Sequence, residues 1–142
     1  MSTRARYALR AMMQLAMEPP QATTQLHSIA EAQQISVKYL EQIVRPLKLA
    51  GLVVSARGSA GGYRLGRPAS EITALEIVQA VEGPVSVVDC VLRPGQCQRY
   101  PGCAARDLWQ RVGEAVKEVL ASDSLAELAS RQHLPRRPAV SR

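Results

Sequence analysis

Apolar residues recur at helical spacing along most of the chain, and the polar stretches between them place the breaks. Ala8, Met12, Leu15 and Ala16 share one face, which predicts a first helix from about Thr3 to Met17, stopped by Pro19-Pro20. A polar loop over Gln21–Gln25 follows. Leu26, Ile29 and Ala30 then predict a short second helix that fades near Gln33-Gln34. The third signal is stronger. With Ser36 as N-cap, Leu40, Ile43, Val44 and Leu47 stand at i, i+3, i+4 and i+7, and Gly51 suits the position just past the helix end. Pro46 lies inside this helix, where a proline costs roughly 3 kcal/mol. A kink or a separate last turn is therefore expected there.

The period next changes from helical to extended. Leu52-Val53-Val54 and Tyr63-Arg64-Leu65 predict two strands that pair across Arg57-Gly58-Ser59-Ala60-Gly61-Gly62, a glycine-rich tip that carries an arginine. Thr73-Ala74-Leu75-Glu76 reads as a capping box opening a fourth helix, with Ala74, Ile77, Val78 and Val81 inward and Gly83-Pro84 as its stop. From Ala104 to Leu120, the residues Leu108, Val112, Ala115, Val116 and Val119 form a narrow apolar seam between charged flanks, as in a coiled-coil dimer; packing on the chain's own domain is the alternative. Ser124 and Glu127 frame a second capping box and a short last helix. The expected fold is mainly α with a small β-hairpin. It comprises a winged helix-turn-helix domain over 1–82, a cysteine-bearing loop over 83–103, a long dimerisation helix and short last helix over 104–130, and a disordered tail over 131–142.

Charge adds direction to this outline. The net charge of +6 is unevenly spread: through Arg67 nine Lys/Arg face three Glu, whereas from Pro68 onward nine Lys/Arg meet nine Asp/Glu. A basic half of this kind suits a polyanion, because each cation that neutralises a phosphate releases counterions. On the outer face of the third helix, Lys38 and Gln42 can donate to base edges and Glu41 can accept from cytosine, while Tyr39, Arg45 and Lys48 can reach phosphate or sugar. Ser36 at the helix start and Gly61 in the hairpin complete the expected DNA contacts, and Arg57 is placed to enter a minor groove. Each side chain alone is equally an exposed polar group; their concentration on one basic half points to double-stranded DNA. Arg4, Arg6 and Arg10 interrupt any secretory leader, and no apolar run is long enough to span a membrane, so a cytoplasmic protein without a membrane partner is expected.

The three cysteines, Cys90, Cys97 and Cys103, all lie in one stretch punctuated by Pro94-Gly95 and Pro101-Gly102. In a reducing compartment such a cluster points to metal or redox chemistry rather than to disulfides, and a segment that turns this often can fold three soft thiolates toward one point, as iron or zinc requires. The spacing lacks the close pairs of a zinc ribbon. His27 and His133 are distant in sequence.

Over about residues 1–130 the chain resembles the Rrf-two family of bacterial regulators. The resemblance rests on Arg6-Tyr7-Ala8, Ile35-Ser36-Val37-Lys38-Tyr39-Leu40-Glu41-Gln42, Leu49-Ala50-Gly51-Leu52-Val53, the hairpin from Arg57 to Gly66, and the three cysteines followed by Leu108-Trp109. It implies a homodimer on a partly palindromic promoter, probing bases through Glu41 and Gln42 and the minor groove through Arg57, with an iron–sulfur cluster on Cys90, Cys97 and Cys103. Some members add a histidine ligand where this chain has Arg106, and others an aspartate where it has Arg6, so a fourth ligand and the choice between two-iron (2Fe-2S) and four-iron (4Fe-4S) clusters stay open. The expected function is a transcription regulator, a repressor, that senses iron, redox state or nitric oxide. A thiol or zinc switch of the same fold is the alternative. A redox enzyme is remote, because the chain has no Cys-x-x-Cys, no phosphate-binding glycine loop and no triad pattern.

Overall fold

The computed structural model describes residues 1–58 and 61–132. Most of the expected tail, with His133, lies outside the described residues. The chain folds as α1 (Thr3–Ala16), α2 (Leu26–Gln33), α3 (Val37–Leu49), β1 (Val53–Ala56), β2 (Gly62–Leu65), α4 (Ala74–Glu82), α5 (Asp89–Leu92), α6 (Ala104–Ser122) and α7 (Leu125–Ser130), with short 3-10 turns at Ala69–Glu71, Pro94–Gln96 and Tyr100–Gly102. It is the mainly helical architecture with one antiparallel hairpin that the pattern predicts.

Local signals account for the element ends. The Ser2 hydroxyl accepts from Ala5 N–H at 3.2 Å to start α1, and Gln34 takes a left-handed conformation (φ 58°) to end α2. At α3 the Ser36 hydroxyl accepts from Tyr39 N–H at 3.1 Å, and all four residues of the stripe, Leu40, Ile43, Val44 and Leu47, are buried. The helix runs unbroken through Pro46 to Leu49, so its last turn is not separate. Burial of Val44 and Leu47 on either side offsets the missing hydrogen bond; a full Leu or Val burial contributes about 1.5–3 kcal/mol. Gly51 (φ 73°) then closes the end: its N–H donates to Lys48 O, and Leu52 N–H to Leu47 O, each at 3.0 Å.

The hairpin pairs Val53 with Leu65, Val54 with Arg64, Ser55 with Tyr63 and Ala56 with Gly62. Its outer strand has a further partner that the sequence did not announce. Thr24, in the loop after α1, exchanges both backbone hydrogen bonds with Tyr63, at 2.9 and 2.8 Å. Any side chain at Gly62 would meet this loop, since a Cβ there would lie 2.7 Å from Thr24 O.

The core is built where α1, α3 and α4 meet, around Met12, Leu40, Ile43, Leu47, Ile72 and Ile77. Both capping boxes form, Thr73 with Glu76 and Ser124 with Glu127, and they lie side by side: Leu125 N–H donates to Ile72 O at 2.7 Å. Leu125 is fully buried in the same core, so α7 is fastened to the N-terminal unit by packing and by backbone. On α6, Val116 and Leu120 pack against that core, whereas Leu108, Trp109 and Val119 are exposed by 50%, 41% and 67%.

Candidate DNA interface and cysteine segment

Because the inward stripe of α3 is fixed by the core, its opposite face is fixed too. Lys38, Glu41, Gln42, Arg45 and Lys48 are all exposed. None of these charged groups takes part in the ion pairs found among the described residues, which join Arg67 to Glu76, Lys117 to Glu114 and Arg131 to Asp123. The three cations of the face are therefore free to meet phosphate.

Tyr39 and Ser36 hold different places from the rest. Tyr39 is half-buried, with its ring edge-on to Tyr7 of α1 at 6.0 Å between centroids, and the Arg10 guanidinium lies 5.4 Å from the Tyr7 ring. This cluster braces the start of α3 against α1. The Ser36 oxygen is engaged as the helix cap, leaving its O–H as the group available to an outside partner. Lys48 leans toward the wing, its Nζ 5.7 Å from the Tyr63 ring.

The wing presents Arg57, exposed and unpaired in any ion pair among the described residues. Gly61 closes the tip: its N–H donates to Gly58 O at 2.9 Å, and a Cβ there would stand 2.9 Å from that same oxygen. Position 61 is thus reserved for glycine. Gly66 makes a second close approach, which sets the hairpin against the end of α3.

The cysteine segment differs from the expected loop. Cys90 lies on the one-turn helix α5, Cys97 leaves the Pro94–Gln96 turn, and Cys103 is the N-cap of α6. All three are half-buried free thiols. The expected convergence on one point is not what the structure holds: among the described residues no three Cys, His, Asp or Glu side chains form a group able to bind a metal ion. The physical reason is that three separate short elements, rather than one flexible loop, orient the thiols. The donors are chemically apt for iron, but their arrangement here does not fit a cluster.

Nothing in the spacing foretold Arg106. Its guanidinium stacks over the Tyr100 ring at 4.2 Å, pinning the turn between Cys97 and Cys103 to the first turn of α6, and its Nε is buried without a partner. Tyr7 and Arg10 were also absent from the expected site, although Arg6-Tyr7-Ala8 carried part of the resemblance; the aromatic at the start of α3 was the signal that could have paired them.

No helix among the described residues is long and apolar enough to cross a membrane. A family profile described as "Iron-dependent Transcriptional regulator" matches residues 1–131. The transcriptional regulator CymR of Bacillus subtilis (strain 168) is 46% identical over 129 residues, covering 91% of this chain and 88% of that protein. Its solved structure, that of a global cysteine regulator, superposes with a TM-score of 0.78 over 94% of this chain and 98% of its own at 44% identity. The regulator IscR of Photorhabdus laumondii is 38% identical over 134 residues, covering 94% of this chain and 81% of that protein. The structure of T. potens IscR matches with a TM-score of 0.75 and 31% identity over 95% of this chain and 93% of its own. These relatives are transcriptional regulators. With a profile match across nearly its whole length, and with the helices and wing in place, the chain belongs to the Rrf2 (Rrf-two) family of transcriptional regulators.

Proposed function

We propose that this regulator binds promoter DNA as a homodimer, places α3 in the major groove and Arg57 in the minor groove, and is switched through the segment carrying Cys90, Cys97 and Cys103. The observation that carries the DNA reading is the unpaired, exposed set Lys38, Gln42, Arg45 and Arg57 on one basic half. Glu41 and Gln42 read bases, and Ser36, Tyr39 and Gly61 set how closely the backbone approaches. Dimerisation is supported by the seam of α6, where the exposed Leu108, Ala115 and Val119 and the half-buried Val112 follow a spacing of four and three. Such a dimer presents two recognition helices to two half-sites.

The cysteines sit at the root of the seam helix, so a change in their state shifts α6 and with it the distance between the two recognition helices. That shift changes DNA affinity only if the two states of the segment bind DNA differently. The half-buried thiols on three elements favour a thiol switch, as does the likeness to CymR, whose solved structure is that of a global cysteine regulator. A second reading, an iron–sulfur cluster on the same cysteines, is favoured by the iron-dependent description of the family and the likeness to IscR. When bound, such a cluster would supply redox and gas-sensing chemistry; Cys90, Cys97 and Cys103 would hold it only once the three elements that carry them move together.

Fluorescence anisotropy on the protein's own promoter, with and without competitor DNA, tests the main reading. Specific binding that weakens when Gln42 or Arg57 is replaced by Ala supports it, and no preference over random DNA overturns it. Anaerobic reconstitution followed by absorption spectroscopy and metal analysis separates the two switches. Visible bands and iron that vanish in Cys97→Ser establish the cluster; a colourless protein whose DNA binding responds to peroxide and thiol reductant establishes the thiol switch.

A further inference from the structure

Behind the wing, away from α3, lies a half-open cleft of about 570 Å³ that the DNA reading leaves unused. Its walls come from the end of α1 (Leu15, Ala16, Glu18), the Pro19-Pro20 corner and the hairpin (Val54, Arg64, Leu65). The volume falls within the range of small-molecule sites, about 300–1,000 Å³. Its chemistry is mixed in a specific way. Leu15, Ala16, Val54 and Leu65 give an apolar floor, and two opposite charges stand on it.

Neither charge is spent inside the protein. Arg67, which also borders the cleft, is occupied: it holds Glu76 at 2.5 Å and donates to Glu71 O at 3.2 Å. Arg64, by contrast, takes part in no ion pair among the described residues, nor does Glu18, and the two do not pair with each other. A guanidinium and a carboxylate facing one apolar hollow without meeting leave room for a molecule carrying the complementary pair. We propose that the cleft binds a small amphoteric molecule with an apolar body, a free amino acid or a short peptide. Its carboxylate lies on Arg64, its ammonium on Glu18 and its side chain on the Leu15–Val54–Leu65 floor.

The site is coupled to DNA recognition through the hairpin. Val54 and Arg64 are a cross-strand pair of the same hairpin that carries Arg57 at its tip. A ligand bridging this pair to the end of α1 holds the hairpin in one pose and so changes DNA affinity to the extent that its affinity differs between poses. This last link rests on the DNA-binding reading above, whereas occupancy of the cleft does not.

The test uses the full chain and four probes: L-leucine, the dipeptide leucyl-leucine, N-acetyl-L-leucine, which lacks the ammonium, and isoamylamine, which lacks the carboxylate. Binding is measured by titration calorimetry and by the shift of the melting temperature. At least one of the two zwitterions binds the wild type, and whichever is tighter identifies the free or peptide form. Isoamylamine and N-acetyl-leucine bind about tenfold more weakly or not at all, a difference equivalent to 1.4 kcal/mol. Arg64→Gln loses about tenfold in zwitterion affinity and Arg64→Lys loses less, while Glu18→Gln abolishes the preference for leucine over its acetylated form. Should Arg64→Gln fail to fold, the exposed Glu18 variant carries the test alone. No binding of either zwitterion at millimolar concentration overturns the proposal, as does an affinity indifferent to both variants. Ligand binding without any DNA binding refutes the regulatory reading and leaves the cleft standing.

Discussion

Replacing Gly66 by Ala puts the relation between wing and recognition helix to a direct test. Gly66 lies against Gly51, the residue that ends α3, and a Cβ there would stand 2.2 Å from Gly51 O and 3.1 Å from its carbonyl carbon. Ordinary contact begins at 3.4 Å, so two backbones must part by roughly 1 Å. The movement also strains the hydrogen bond from Gly66 N–H to Leu52 O, now 3.0 Å. Overpacking of this kind costs about 1–3 kcal/mol, and a weakened backbone bond adds up to about 1 kcal/mol. A total of about 1–4 kcal/mol corresponds to a melting temperature lower by roughly 3–15 °C for a domain of this size. Gly113 supplies the contrast: it lies mid-helix in α6, and a Cβ there meets nothing within 4 Å, so Gly113→Ala stabilises by about 0.5–1 kcal/mol. Both are read by urea and thermal unfolding followed by circular dichroism, and operator affinity is measured beside them. Gly66→Ala weakens specific binding more than non-specific binding, because Arg57 and Gln42 no longer hold their spacing. A Gly66→Ala protein that melts within about 1 °C of the wild type and binds its operator equally well would refute the reasoning.

Other expectations are simpler to check. Arg57→Ala and Gln42→Ala each cost about 1–3 kcal/mol in specific DNA affinity, whereas Arg45→Ala and Lys48→Ala weaken binding to all sequences and lower the salt slope by about 1 each, as anisotropy at several salt concentrations measures. Thr73→Ala removes the hydroxyl that accepts from Glu76 N–H at 3.2 Å and destabilises by about 0.5–2 kcal/mol in urea unfolding. Burial raises the carboxyl pKa of Glu76 and Glu82, but hydrogen bonds from Thr73 and Arg67 to the first and from Ser2 to the second outweigh it and hold both below their ordinary value. At Glu127 the Ser124 N–H and hydroxyl lower it likewise. A carboxyl depressed in the folded state contributes stability above its unfolded pKa, near 4.5, and loses it as pH falls through the folded value. The unfolding midpoint therefore stays level down to about pH 5 and drops below 4.5. Glu76→Gln makes that drop shallower.

What the sequence determined by itself is the set of local structures and the identity of the exposed face on α3. Caps, stops and the four-residue stripe Leu40–Leu47 act within a turn or two, so Ser36, Thr73, Ser124 and Gly51 announce themselves, and burying one face of α3 necessarily exposes Lys38, Gln42 and Arg45. The tertiary structure decided whatever depends on residues distant along the chain. Thr24 completes the wing through Tyr63, Leu125 fastens α7 beside Ile72, Gly66 meets Gly51, and Arg64 and Glu18 face one cleft. The cysteines belong to this second class: their spacing allowed convergence, but the one-turn helix at Asp89–Leu92 and the cap at Cys103 set where each thiol stands. Local patterns are fixed by backbone geometry over a few residues, whereas these contacts exist only because packing brings separate segments together, and such contacts leave no periodic trace in the sequence.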